Sequence, residues 1–157
     1  MALDPTARRA NMKDSIKKYF VDNIFTTEGI ALTFDKSLSV PDVAKSKRTS
    51  RWLNIDMEDL DRSYLSDLVL KVFCATRKDP EGFVLAQLTD TVMGYLTDTT
   101  KTDGMRRIPF YRSYSNQAWE LLGAFLIQEV IEGPELEAPD ETKYVVMTCR
   151  LRTASKI

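Results

Sequence analysis

This sequence predicts an α+β domain with a mainly antiparallel sheet, two helices packed on one face and a long C-terminal β-hairpin. Three observations carry that reading. Two segments repeat apolar residues at intervals of three and four, several others alternate with a period of two, and two long apolar runs flank one acidic link near the C-terminus. At 157 residues the chain is long enough for one domain with a real core and short for two, so residues 1–157 form a single unit. Residues 1–8 read as a flexible tail.

The first helix runs from about Arg8 to Ile24, with Met12, Ile16, Tyr19, Phe20 and Ile24 on one stripe and Lys13, Asp14, Lys17 and Lys18 on the other. Thr26, Thr27 and Gly29 stop it. Ile30, Leu32 and Phe34 then share one side of a strand that ends near Ser37. The stretch SLSVPDVAKSKRTSR, residues 37–51, holds a proline and few large apolar groups and reads as an exposed loop. Two strands follow, joined by the polar EDLDRS. One sets Trp52, Asn54 and Asp56 against Leu53, Ile55 and Met57; the other, Leu65 to Thr76, is apolar enough on both faces to lie inside a sheet. Asp79 and Pro80 supply a cap and a first-turn proline for a second helix, in which Val84, Leu85, Leu88, Val92, Tyr95 and Leu96 share a face before DTTKTDG ends it. In MRRIPFYRSYSN, Pro109 confines its strand to an edge or a bulge.

AWELLGAFLIQEVIEG, residues 118–133, fits two shapes. As a helix it stacks Trp119, Leu122, Leu126 and Val130; as a strand it sets Leu121, Phe125, Ile127 and Ile131 opposite Leu122, Ala124, Leu126 and Val130. A helix would carry Gly123 near its middle at about 1 kcal/mol relative to Ala. It would also leave KYVVMTCRLRT, an alternating strand, without its nearest sequential partner. Leu121 to Glu132 and Lys143 to Arg152 are therefore read as the arms of a hairpin across GPELEAPDET.

Composition excludes more than it assigns. Lys plus Arg is 22 against 23 for Asp plus Glu, a net charge of -1, so no whole-domain basic field exists to grip a nucleic-acid backbone. The N-terminus is charged where a secretion signal is apolar, and no run approaches the ~20 apolar residues of a membrane span, which predicts a cytosolic chain with no membrane partner. Without histidine there is no Ser-His-Asp or Cys-His system and no imidazole ligand. Cys74 and Cys149 lack metal-ligand spacing and read as small buried thiols.

Two helices of about four turns can cover one face of such a sheet and not both. The hairpin is apolar on both faces, so something else must bury the second, with Leu122, Leu126 and Val130 as candidate contacts. A partner copy is the economical answer. Lys45, Lys47, Arg48 and Arg51 face Glu132, Glu135, Glu137, Asp140 and Glu141 in charge, and on opposite flanks the two groups would suit a head-to-tail contact that closes into a ring.

From about Met12 to Arg152, the helix, strand, long loop, two strands, helix opened by DPEG and apolar hairpin ending in CRLRT resemble the tail-terminator proteins of long-tailed bacteriophages. The resemblance lies in element order and transfers no functional residue. It implies a six-membered ring, part of the virion and assembled in the host cytoplasm, that caps the tail tube, stops its polymerisation and docks to head or neck proteins. DNA would only pass through its lumen, and neither enzymatic activity nor a cofactor is implied. A tail-tube, neck or head-completion protein is the nearest alternative. Two other classes remain open from the residues. An enzyme could use a hard cation on Asp56 and Glu58 of DMEDLD, although no second acidic cluster is tied to them and no nucleotide motif is present, so no metal is expected. A non-viral adaptor could bind a peptide along IPFYRSY, with Phe110, Tyr111 and Tyr114 as a rim.

Overall fold

The computed structural model describes residues 9–35, 51–61, 65–112, 119–139 and 141–154. Helix α1 (Arg9–Phe20) continues as a π-helical stretch, Val21–Glu28, and helix α2 spans Phe83–Leu96. The strands are β1 (Ala31–Phe34), β2 (Arg51–Asp61), β3 (Leu65–Thr76), β4 (Arg107–Arg112), β5 (Glu120–Glu132), β6 (Leu136–Glu137) and β7 (Lys143–Ala154). The expected tail 1–8 lies outside the described residues, as does the loop 37–51 apart from Asp56's own strand opener, Arg51. Six strands run in the order β1-β2-β3-β7-β5-β4, with β6 added on β7. Among the described residues only β1 and β2 pair in parallel. The expected α+β class and hairpin are present, and Pro109 sits in β4, an edge strand.

Both helices bury their stripes on one face, here called inner. Met12, Ile16, Phe20 and Ile24 from the first helical run and Leu85, Leu88, Val92 and Leu96 from α2 meet alternate residues of the strands: Leu53 and Ile55, then Leu68, Leu70, Val72 and Cys74, then Val145, Met147, Cys149 and Leu151. Cys74 and Cys149 are buried as expected, and burial pushes the Cys149 thiol up to about 12 and Cys74 higher still, so both are inert.

Helix α1 also ties the two edges of the curled sheet together. On the β4 side the fully buried Ser15 Oγ accepts the Tyr111 N–H at 2.8 Å, and its proton can go to the Asn11 carbonyl at 2.7 Å or the Tyr111 carbonyl at 3.2 Å. An edge strand is thus closed by a helix. Lys18 stands over the rings of Tyr111 and Trp119, 5.6 and 5.4 Å from their centroids. On the β1 side Lys13 pairs with Asp35 and Lys17 lies over the Phe34 ring at 5.4 Å. The helical run passes the expected end at Ile24 and stops at Gly29, which takes the left-handed conformation (φ 67°) and donates its N–H to the Phe25 carbonyl at 3.1 Å.

Two boundaries differ from expectation. Helix α2 begins at Phe83, after the left-handed Gly82 (φ 72°), so Pro80 lies in the preceding turn; Asp79 still caps, accepting from Val84 N–H at 3.3 Å and Leu85 N–H at 2.9 Å. Strand β5 carries an extra residue at Leu122, opposite β4, and another at Gln128, opposite β7. Each bulge flips the strand. Phe125, Ile127 and Val130 therefore face inward, Leu126 and Ile131 outward, and Leu121 pairs with Tyr111 instead of continuing the Phe125 side. Leu122, Leu126 and Val130 do not form the single outward stripe expected of them, because Leu122 and Val130 pack against the core.

Replacing Ser15 with Ala leaves the Tyr111 amide without its partner. A loss of about 1–3 kcal/mol in urea unfolding is expected, with faster hydrogen exchange at Tyr111 and little change at interior β3.

Candidate subunit interface

The face opposite the helices is built from the other half of each alternation. Asp67, Arg152, Leu126 and Arg107 occupy one cross-strand row, and Val69, Arg150 and Glu129 the next. Arg152 Nε donates to Asp67 Oδ1 at 2.7 Å and its second nitrogen to Oδ2 at 3.3 Å. That pair holds the Asp67 carboxyl below its usual range. Arg150 reaches Glu129 at 3.3 Å through one nitrogen. Among these charges stand large apolar side chains: Leu121 is 64% exposed, Leu126 43% and Ile131 54%. Among the described residues no helix covers them. At the far end of the same face Trp52 is fully buried against Ala31, Ala75 and Tyr144.

The charged candidates lie elsewhere. Lys45, Lys47, Arg48 and Asp140 are outside the described residues. Arg51 pairs with Thr76, Thr76 with Lys143 and Lys143 with Glu137, so Arg51 and Glu137 share one row, three strand spacings or about 14 Å apart. The flanks are not opposite: Arg51 and the acidic link meet at the same end of the sheet, and the head-to-tail contact built on their separation does not hold for it. Glu132, Glu137 and Glu141 are exposed there, while Glu135 is held 3.4 Å from Lys143 Nζ, which also donates to the Pro80 carbonyl at 3.0 Å. A cleft of about 480 Å³ opens between Arg77 and Lys78 on one wall and Glu137 and Glu141 on the other.

The two rival sites have these geometries. In DMEDLD, β2 bulges between Met57 and Leu60, and among the described residues no three Cys, Asp or Glu side chains converge to hold a metal. Burial, then the charges of Asp35 and Glu58, push the Asp56 carboxyl up. Along IPFYRSY the Tyr111 backbone is already taken by Ser15, Phe110 is buried against Phe125, and Tyr114 is outside the described residues. The outward turn of Leu121 and Ile131 and the arginine rows escaped sequence reasoning, because bulges are not written in the alternation and the run Leu121–Ile127 is apolar throughout.

No protein-family model and no curated protein matches the chain. Several solved chains are similar; one matches over 92% of this chain and 95% of its own, with a TM-score of 0.54 at 10% identity. That likeness shows the fold alone. No helix among the described residues is long and apolar enough to cross a membrane.

Asp79 links the acidic end to α2. Burial raises its pKa, but the amides of Leu85 and Val84, the Thr76 hydroxyl at 3.2 Å and the charge of Lys143 outweigh it and hold the value below the usual range. Its stabilising contribution is complete above the unfolded value of about 3.9 and is lost as pH falls through the lower folded value. Asp79→Ala is expected to cost about 1 kcal/mol near neutrality. In urea titrations between about pH 5 and pH 2, that penalty shrinks as Asp79 protonates in the parent protein. At Gly82 an added Cβ would meet Glu135 Oε1 at 2.6 Å on top of the positive φ. Gly82→Ala is expected to lower the urea midpoint, and Gly82→Ala with Glu135→Ala to recover only the part due to the clash.

Proposed function

We propose that the chain is a structural ring-forming component of a long-tailed phage, the cap that ends the tail tube and receives the neck, with its own copies as first partners. The observation that supports this reading is the sheet face left uncovered by both helices, with Leu121, Leu126 and Ile131 in water. Exposed apolar side chains interleaved with arginine are the composition of a subunit contact, whose centre is apolar and whose rim is polar. Burying the three would contribute on the order of 1–2 kcal/mol each, part of what a repeated contact needs to hold a closed ring. The element order and the α+β fold support the same assignment. Tail tube and neck proteins are the further partners, and the virion tail is the proposed location.

Negative-stain images and light scattering of the purified chain test it. A closed annulus of several protomers is expected. A lone protomer up to about 100 μM, some 5.5 kcal/mol of standard binding free energy, overturns it. Leu126→Asp should lower the assembled mass while leaving the unfolding midpoint nearly unchanged, because the side chain is already half in water.

A further inference from the structure

A head-to-tail ring needs two different surfaces on each protomer, and of the charged groups first considered Arg51 lies at the same end of the sheet as Glu137. Two other surfaces meet the need. The first is the outer face of β5 and β7 just described. The second is the solvent side of the π-helical stretch, where Val21 is 37% and Phe25 50% exposed. Both lie outside the core: Phe20 and Ile24 beside Val21 and Phe25 are buried in it, as are Ile127 and Leu151 on the inner side of the strands, and Asp22 shares a cleft with Arg107 at the β4 edge, where the two surfaces adjoin.

Their chemistry is complementary. Val21–Glu28 carries two carboxylates, Asp22 and Glu28, and no cation of its own. The outer face offers Arg150 and Arg152 beside Ile131 and Leu126. Arg150 uses one nitrogen on Glu129 and Arg152 two on Asp67. A guanidinium has five N–H donors in a fixed fork, so each retains donors for a second carboxylate. Asp22 accepts from Lys18 at 2.7 Å and Glu28 from the Tyr95 hydroxyl at 2.7 Å, each through one oxygen, which leaves acceptor capacity on both. The π-helical geometry is itself rare, and such stretches occur often where a helix is recruited to function.

We infer that the Val21–Glu28 stretch of one copy docks on the outer β5–β7 face of the next, with Phe25 and Val21 set among Leu126 and Ile131 and the carboxylates of Asp22 and Glu28 near Arg150 and Arg152. This rests on the ring reading and names its two surfaces. The contact is heterologous: neither surface pairs with its own copy.

Cross-linking tests it, since Cys74 and Cys149 are buried and inert. Three variants are made, Phe25→Cys, Ile131→Cys and the two together, each at an exposed position and each checked for the parent melting temperature. A short bis-maleimide should give a ladder of covalent multimers from the double variant and only background dimer from either single one. Charge reversal adds a second reading: Arg150→Glu with Arg152→Glu should weaken assembly at least tenfold, and adding Asp22→Arg with Glu28→Arg should restore part of it. If the parent protein assembles but the double variant gives no ladder, or if either single variant cross-links as well as the double, the docking inference fails while the ring stands. If the parent is a lone protomer, both fail.

Discussion

The structure depends on how helix α1 spans the open side of a curled sheet. An open sheet has two edges, each a row of unpaired backbone groups, and its strands curl because of their intrinsic twist. Here Ser15 satisfies the Tyr111 backbone on β4, and Lys13 and Lys17 engage Asp35 and Phe34 at the end of β1. One helix therefore touches both edges and drives Met12, Ile16 and Phe20 into the concavity between them. Helix α2 completes the filling with Leu85, Leu88 and Val92. With both described helices spent on the inner face, what the described residues put on the outer face is set by the alternation of the strands.

What the sequence made legible follows from that division. Residues whose environment repeats with the element's own period could be read: the α1 and α2 stripes, the inner residues of β3 and β7, and Pro109 on an edge. Strand β5 could be recognised as a strand only from its partner. Its two bulges place inward residues at 125, 127 and 130, a spacing that mixes two and three and so imitates both periods. A continuous apolar run conceals this, since either register puts a hydrophobic side chain on the inner face. The start of α2 was misplaced for a related reason. Asp79 caps from outside the first turn because Gly82 takes a left-handed φ, and no rule of position anticipates a cap acting across such a turn.

The relative placement of the charged groups was not legible at all. Arg51 and Glu137 are 86 positions apart in sequence and share one row of the sheet because three successive pairings, β2 to β3, β3 to β7 and β7 to β6, happen to align their ends. Register is a tertiary property, fixed by the burial of Leu53, Cys74 and Val145 together on the inner face. Once it is fixed, the acidic link becomes part of the local architecture at the start of α2. Glu135 lies over Gly82 and is held by Lys143, whose ammonium also takes the Pro80 carbonyl.

The same register bears on which symmetry the outer face can use. A two-fold contact sets a residue against its own copy only on the axis, so one centred at Arg150 would juxtapose two guanidiniums, and like charges in a partly dry contact cost several kcal/mol. A different surface bearing carboxylates meets no such penalty and can accept from arginine donors that Glu129 and Asp67 leave unused. The ion-pair rows thus disfavour the outer face as a partner for itself, while its leucines and isoleucine disfavour leaving it in water. On the ring reading proposed above, a contact between unlike surfaces answers both pressures, and such a contact, repeated with a rotation that closes, generates a ring.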